Sequence, residues 1–88
     1  MVRHINVLVT GVGSTTAISV IKGLRRQEEF RVSVVGVDIN DRTDIAGSSF
    51  CDRFFKVPPA TDESNYLNAL HDIVASESVD LLVPIVYI

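Results

Sequence analysis

One stretch constrains the fold of this chain more than any other: Ile5 to Leu24, INVLVTGVGSTTAISVIKGL. It opens with a run of apolar, mostly β-branched residues, which is typical of a strand buried on both faces of a sheet. The run ends at Gly11-Val12-Gly13, where glycine permits backbone angles that a Cβ would forbid. Apolar residues then recur at helical spacing. The stretch therefore predicts a strand, a glycine turn and a helix in succession.

Residues after the glycine turn can start and cap that helix. Ser14 or Thr15 can serve as its N-cap, because a hydroxyl there accepts a hydrogen bond from a backbone N–H two or three residues on. The unpaired N–H groups at such a helix start favour a phosphate or a carboxylate. The turn therefore predicts where an anion would bind, but it does not identify the anion. The apolar face of the helix comprises Ala17, Val20, Ile21 and Leu24.

A second strand and an irregular segment follow. Residues 32–37 are rich in valine and predict another buried strand, which ends at Asp38. Dinucleotide-binding folds keep an acid at this place for a ribose hydroxyl. Beyond it, residues 41–46 can form one helical turn, which Gly47-Ser48-Ser49 would break.

The second half of the chain predicts a short strand, a helix and a last strand. The short strand covers residues 54–57 and stops at two prolines, which cannot donate ladder hydrogen bonds. Thr61 or Asp62 is the predicted N-cap of the helix. Residues 81–83 form the last strand, with Pro84 after it. The apolar face of this helix comprises Tyr66, Leu67, Leu70, Ile73 and Val74.

The alternation of these strands and helices predicts an α/β fold. Such a pattern gives a parallel sheet with helices on both faces and right-handed crossovers. We expect a Rossmann-like sheet of about four strands in the order 3-2-1-4. Ligands of such sheets bind beyond the carboxyl ends of the strands where the strand order reverses. Here that crevice would lie between residues 11–15 and residues 84–87.

Composition narrows the functional classes. The net charge of −3 and the pI near 5.1 oppose binding to nucleic acid, which favours a basic surface. Cys51 is the only cysteine, so no internal disulfide can form, and a reducing compartment is expected. The sequence shows neither a signal-peptide pattern nor an apolar run of about 20 residues. We therefore expect a cytoplasmic protein that contacts neither nucleic acid nor membrane.

The glycine turn matches the dinucleotide-binding fingerprint in part. Gly11 and Gly13 provide two of its three glycines, but Thr16 stands where the third lets helix and strand pack closely. Asp38 lies farther from Gly11 than the usual spacing of about 20 residues. The alternative is that both glycines only shape the turn and Asp38 only ends a strand.

No other group of residues predicts chemistry within the chain. His4 and His71 have no partners at metal-ligand spacing. Asp38, Asp41 and Asp44 span a turn without EF-hand spacing. A catalytic Ser-His-Asp or Cys-His arrangement and a Walker lysine are also missing. We therefore predict no catalytic residue and no metal site here.

Taken together, four segments of the chain resemble a known family. They read VLVTGVGSTTAISVIKGLR, VVGVDIND, CDRFFKVPPATDESNYLNAL and VDLLVPIV. This pattern is similar to the N-terminal domain of ATP-grasp ligases, above all to the carbamoyl-phosphate-synthase-like members of that superfamily. Its more specific parts are Cys51-Asp52-Arg53-Phe54 with Val57-Pro58-Pro59, and the closing Asp80-Leu81-Leu82-Val83-Pro84.

The resemblance implies that residues 1–88 are the pre-ATP-grasp domain of a larger ligase and are not catalytic alone. Such enzymes use ATP and Mg²⁺ to activate a carboxylate or bicarbonate as an acyl phosphate, which an amine then attacks. ATP and Mg²⁺ bind mainly in the later grasp domain, so neither is expected in this segment. The resemblance also implies that Asp38 meets a polar group of the substrate. An anionic group of the substrate would meet Gly11, Gly13, Ser14 and Thr15.

Two other functions remain as alternatives. One is an NAD(P)-binding Rossmann domain of an oxidoreductase. The other is a small binding or regulatory domain that acts by itself.

The end of the chain and its overall hydropathy predict self-association. The chain is 47% hydrophobic with a mean hydropathy of +0.29, which is high for a small domain with proportionally much surface. This favours a fragment of a larger protein. The strand at 81–83 would then be a sheet edge, followed by the apolar residues 85–88. Uncovered edges and apolar patches invite pairing with a second copy.

Overall fold

The computed structural model of the protein describes residues 3–41 and 46–85, apart from the side chains of residues 46 and 47. The predicted helical turn at 41–46 falls largely outside these residues, and so does the apolar tail Val86, Tyr87 and Ile88. The elements are β1 (Arg3–Val9), α1 (Thr15–Arg26), β2 (Phe30–Asp38), a 3₁₀ helix (Ala46–Phe50), β3 (Arg53–Lys56), α2 (Glu63–Ser76) and β4 (Leu81–Val83).

The four strands form one parallel sheet in the order β3-β2-β1-β4. The predicted α/β fold and its Rossmann-like strand order are therefore confirmed. β1 lies inside the sheet and pairs with β2 from Arg3↔Phe30 to Val9↔Gly36. Within the described residues β4 pairs with β1 only, over three residues, so it forms an edge of the described sheet as predicted.

Two clusters of buried side chains lie on opposite faces of the sheet. Successive side chains of a strand point to opposite faces, so β1 and β2 contribute alternately to each cluster. Helices cover both faces, as predicted. The cluster under α1 comprises Val7, Val9, Val12, Ala17, Ile21 and Val34. The cluster under α2 comprises Leu8, Val35, Val37, Val57 and Ile73.

The apolar face of α2 is less buried than its sequence predicts. Ile73 is buried, but Leu67 is 51% exposed and Val74 is 37% exposed. Both residues border an open depression whose lining includes Leu82 of the edge strand β4. The helix therefore extends over the margin of the sheet, where no further strand of the described chain lies beneath it.

Gly47-Ser48-Ser49 lie within the 3₁₀ helix, and the Cys51 N–H donates to the Ser48 carbonyl at 3.2 Å just after it. Such tight turns occur in short pieces as connectors, where glycine and serine are tolerated. The helical turn that these residues are predicted to end falls largely outside the described residues, so this stays a prediction.

The segment between the 3₁₀ helix and β3 is tied to β2 and α1. The Asp52 N–H donates to the Val34 carbonyl at 2.8 Å, and Asp52 Oδ2 accepts the Val34 N–H at 2.6 Å. Arg25 of α1 donates to the same Oδ2 at 3.1 Å and to the Phe50 carbonyl at 2.8 Å. Cys51 lies against Gly36, where a Cβ would overlap its Sγ. These contacts give Cys51 and Asp52 a structural role.

Candidate functional site

The glycine turn lies at the carboxyl edge of the sheet, between β1 and α1. Gly11 has a φ of 61°, in the left-handed region that favours glycine. Gly13 has no positive φ and is exposed. The backbone of the turn therefore requires glycine at position 11 but not at position 13.

Asp38 lies beside this turn at the end of β2. Its Oδ2 accepts the Gly13 N–H at 2.8 Å, and its Oδ1 accepts from the N–H and the side-chain amide of Asn40, at 3.0 and 3.1 Å. The residue is only 3% exposed. In this structure the anion at Gly13 is therefore a carboxylate of the chain itself.

Ser14 is the N-cap of α1, which decides between the two predicted caps. Its Oγ accepts the Ala17 N–H at 3.1 Å and donates to the Gly11 carbonyl at 2.9 Å. The Ser14 N–H also donates to the Gly11 carbonyl, at 3.0 Å. The hydrogen-bonding groups of Ser14 are thus directed at the chain, so capping accounts for its presence.

The open donors at this edge belong to the first turn of α1. Thr15 and Thr16 are exposed, and their backbone N–H groups have no hydrogen-bond partner in the part of the chain that the structure describes. Such N–H groups are normally satisfied by water, a cap or a ligand. Of the predicted site residues, the structure brings Gly11, Gly13, Ser14 and Asp38 together, and Thr15 is the one that offers an unused N–H.

Thr10 also belongs to this edge, although it is not among the residues that the sequence predicts for the site. It is 4% exposed, and its hydroxyl forms two hydrogen bonds with the backbone of Ile85. Its signal in the sequence is a single polar residue that ends an apolar strand just before the glycine turn. Ile85 therefore lies beside Thr10, within the residues that are predicted to form the other side of the crevice.

The lysines and the side chains that could bind a metal ion are the next groups to locate relative to this edge. The two lysines of the chain are engaged elsewhere: Lys22 Nζ lies 5.3 Å from the ring centroid of Phe50, and Lys56 Nζ lies 3.2 Å from Asp41 Oδ1. Within residues 3–41 and 46–85, no three His, Cys, Asp or Glu side chains are grouped so that they could hold a metal ion.

A histidine and a serine meet at the opposite, amino end of the sheet. His4 Nε2 lies 2.6 Å from Ser33 Oγ, across the β1–β2 pair. A nucleophilic pair also needs a third group that orients the base. No such group is bonded to His4 among the residues described, so the contact is a cross-strand hydrogen bond.

An apolar depression of about 230 Å³ lies on the α2 side, next to β4. Leu82 is 44% exposed there, and Leu81 on the same strand is 48% exposed. The surface at this edge of the sheet is thus apolar within the described residues. The lining residues are Leu67, Leu70, His71, Val74 and Leu82.

Among the described residues, no helix has both the length and the apolar character needed to cross a membrane.

Comparison with known proteins adds no relative to this picture. A scan against protein-family models matches no family, and a search of the curated proteins finds no match. The geometry of the carboxyl edge is therefore the basis for a functional conclusion.

Proposed function

We propose that this chain is the N-terminal, substrate-side domain of an ATP-dependent carboxylate–amine ligase of the ATP-grasp superfamily, similar to the carbamoyl-phosphate-synthase-like enzymes. The larger enzyme acts in the cytoplasm, in keeping with a chain that has a single cysteine. Residues 1–88 are not catalytic by themselves. They present the start of α1 to a carboxylate or bicarbonate, while ATP and Mg²⁺ bind mainly in a grasp domain elsewhere in the enzyme.

The observation that carries this proposal is the state of Asp38. In dinucleotide-binding folds the acid at the end of the second strand accepts the ribose hydroxyls. Here Asp38 is 3% exposed, and both of its oxygens accept hydrogen bonds from the chain. A ribose would have to reach a carboxylate that is almost fully buried. The arrangement therefore favours a ligand other than a dinucleotide.

The charge at the turn favours a small ligand with one negative charge. The N–H groups of Thr15 and Thr16 lie at a helix start, where the macrodipole stabilises an anion. The Asp38 carboxylate lies close by, on Gly13, and repels a second anion in proportion to its charge. A carboxylate or bicarbonate is repelled less than a di- or triphosphate. This is the class of substrate that ATP-grasp ligases activate.

An NAD(P)-binding domain is the second candidate, and one observation favours it. Asp38 and the glycine turn adjoin each other at the carboxyl edge, as the acid and the glycines do in dinucleotide folds. The two candidates differ in what should follow the domain in the full gene: a grasp domain for the ligase and a dehydrogenase catalytic domain for the oxidoreductase. A stand-alone binding domain would be followed by neither.

The coding sequence beyond codon 88 tests the proposal. We expect it to encode a grasp domain, with lysines that clamp the nucleotide and late Glu and Asn residues that bind metal. A dehydrogenase catalytic domain there would overturn the ligase in favour of the oxidoreductase. A stop codon directly after residue 88 would overturn both in favour of a stand-alone domain.

A further inference from the structure

Thr10 is hydrogen-bonded to the segment that follows β4. Its hydroxyl donates to the Ile85 carbonyl at 2.9 Å and accepts the Ile85 N–H at 2.7 Å. A hydroxyl can donate once and accept at the same time, so one side chain satisfies both backbone groups of Ile85. The Thr10 N–H also donates to the Val83 carbonyl, at 3.2 Å. Three hydrogen bonds thus join Thr10 to residues 83–85.

Alternation along the parallel strand explains why Ile85 meets Thr10. β4 ends at Val83, whose carbonyl accepts from Thr10, so the next residue whose N–H and carbonyl face the same way is Ile85. The Thr10 hydroxyl binds both of these groups. The Ile85 side chain then packs against the cluster under α1, which includes Val12 of the glycine turn. Residues 84–85 are therefore held beside the turn and do not leave the sheet directly.

We propose that Thr10 is a positioning residue of the carboxyl edge, whose hydroxyl holds residues 84–85 beside the glycine turn. That this edge takes a carboxylate rests on the proposed function, whereas the hold of Thr10 on Ile85 does not. Thr10→Val removes the hydroxyl and leaves the Ile85 N–H and carbonyl without their partner. Thr10→Ser keeps the hydroxyl and removes only a methyl group.

Amide hydrogen exchange of ¹⁵N-labelled protein, followed by NMR, tests this proposal. In the unmodified chain we expect the Ile85 N–H to be protected. In Thr10→Val its exchange should accelerate by about tenfold or more, while buried amides of β2 keep their rates. Thr10→Ser should retain most of the protection. Thr16→Val is the control, because Thr16 is exposed and its side chain makes no hydrogen bond within the described residues.

Three results would overturn the proposal: an unprotected Ile85 amide in the unmodified chain, an unchanged rate in folded Thr10→Val, or equal acceleration of every amide. The last would mean that Thr10 contributes only to global stability. If Thr10→Val does not fold, the Ile85 exchange rates of the unmodified chain and of Thr10→Ser are compared instead. Loss of protection in the serine variant, which keeps the hydroxyl, also contradicts the proposal. No ligand takes part, so a failure of the ligase proposal would leave this result intact.

Discussion

Asp38 accepts the backbone N–H of Gly13 at 2.8 Å, across 25 positions of sequence. One buried carboxylate thereby holds the end of β2 against the turn that follows β1. The carboxylate also lies near the start of α1, where the helix dipole favours negative charge. The chain thus supplies one anion to the turn, and this limits the charge that a bound ligand can carry.

Replacing Asp38 should destabilise the fold. We expect Asp38→Ala to lower the free energy of unfolding by about 1–3 kcal/mol, because the Gly13 and Asn40 N–H groups lose a buried acceptor. Urea denaturation followed by circular dichroism measures the change. Asp41→Ala is the matched control, since the Asp41 carboxylate is 62% exposed and should cost less than about 0.5 kcal/mol. Equal effects of the two substitutions would contradict a structural role for the Asp38 contacts.

The two glycines of the turn should respond differently to alanine. Gly11→Ala places a Cβ on a residue with φ of 61° and should cost about 1–2 kcal/mol of folding free energy. Gly13→Ala keeps the N–H that Asp38 accepts, and its backbone lies outside the left-handed region, so we expect a change below about 0.5 kcal/mol. Thermal unfolding of both variants is the measurement. A larger loss for Gly13→Ala would mean that the turn needs glycine there too.

Gly36 should be intolerant of any side chain. Its Cβ would overlap Sγ of Cys51 and lie 3.0 Å from Cγ1 of Val12, so Gly36→Ala should cost about 1–3 kcal/mol. Cys51→Ala in the same chain should recover part of that loss, because it removes the sulfur. Gly23→Ala is the control: nothing lies within 4 Å of a Cβ there, and the helix should gain about 0.5–1 kcal/mol. Additive effects of Gly36→Ala and Cys51→Ala in a double-mutant cycle would refute the contact.

Residues 1–88 should self-associate through β4. The Val83 carbonyl accepts from Thr10, which directly follows β1, so by alternation the Leu82 carbonyl points to the open edge. Leu81 and Leu82 add exposed apolar side chains there. We expect sedimentation at tens of micromolar to show association, and Leu82→Lys to reduce it. Ile39→Lys, at an exposed apolar residue after β2, should not. A monomer at all these concentrations would contradict the prediction.

The sheet could be predicted from the sequence because local patterns determine it. The valine-rich runs at 5–9 and 32–37 are short, β-branched and separated by a helical repeat, so a parallel arrangement follows from chain order alone. Ser14 could be identified as one of two caps for the same reason, since a capping hydroxyl acts within three residues.

The partners of Asp38 and Thr10 could not be predicted, because they depend on distances between remote segments. Alternate residues of a strand share one face, and Asp38 lies two residues after Gly36 and four after Val34. Its side chain therefore points to the α1 face only because packing places Val34 and Gly36 on that face. Thr10 and Ile85 are 75 positions apart. The exposure of Leu67 and Val74 likewise depends on the width of the sheet, which a helical repeat does not encode.

A proline at position 15 separates an anion-binding role of the helix start from a structural one. Thr15 is the first residue of α1, where proline is favoured and its missing N–H costs no helical hydrogen bond. Ser14 already has the extended backbone, with φ of −91° and ψ of 153°, that a following proline requires. We therefore expect Thr15→Pro to fold normally and to lose one donor for the ligand.

NMR titration of ¹⁵N-labelled residues 1–88 tests most directly whether this edge binds a small carboxylate and not a nucleotide. At constant ionic strength, bicarbonate or acetate should shift the Thr15 and Thr16 amides in a saturable way, with a dissociation constant on the order of 1–10 mM. Thr15→Pro should weaken this binding. Neither NAD⁺ nor ATP with Mg²⁺ should bind tightly or be hydrolysed. Micromolar binding of NAD⁺ or of Mg²⁺-dependent ATP, or no response of the Thr16 amide to either anion, would contradict the proposed role.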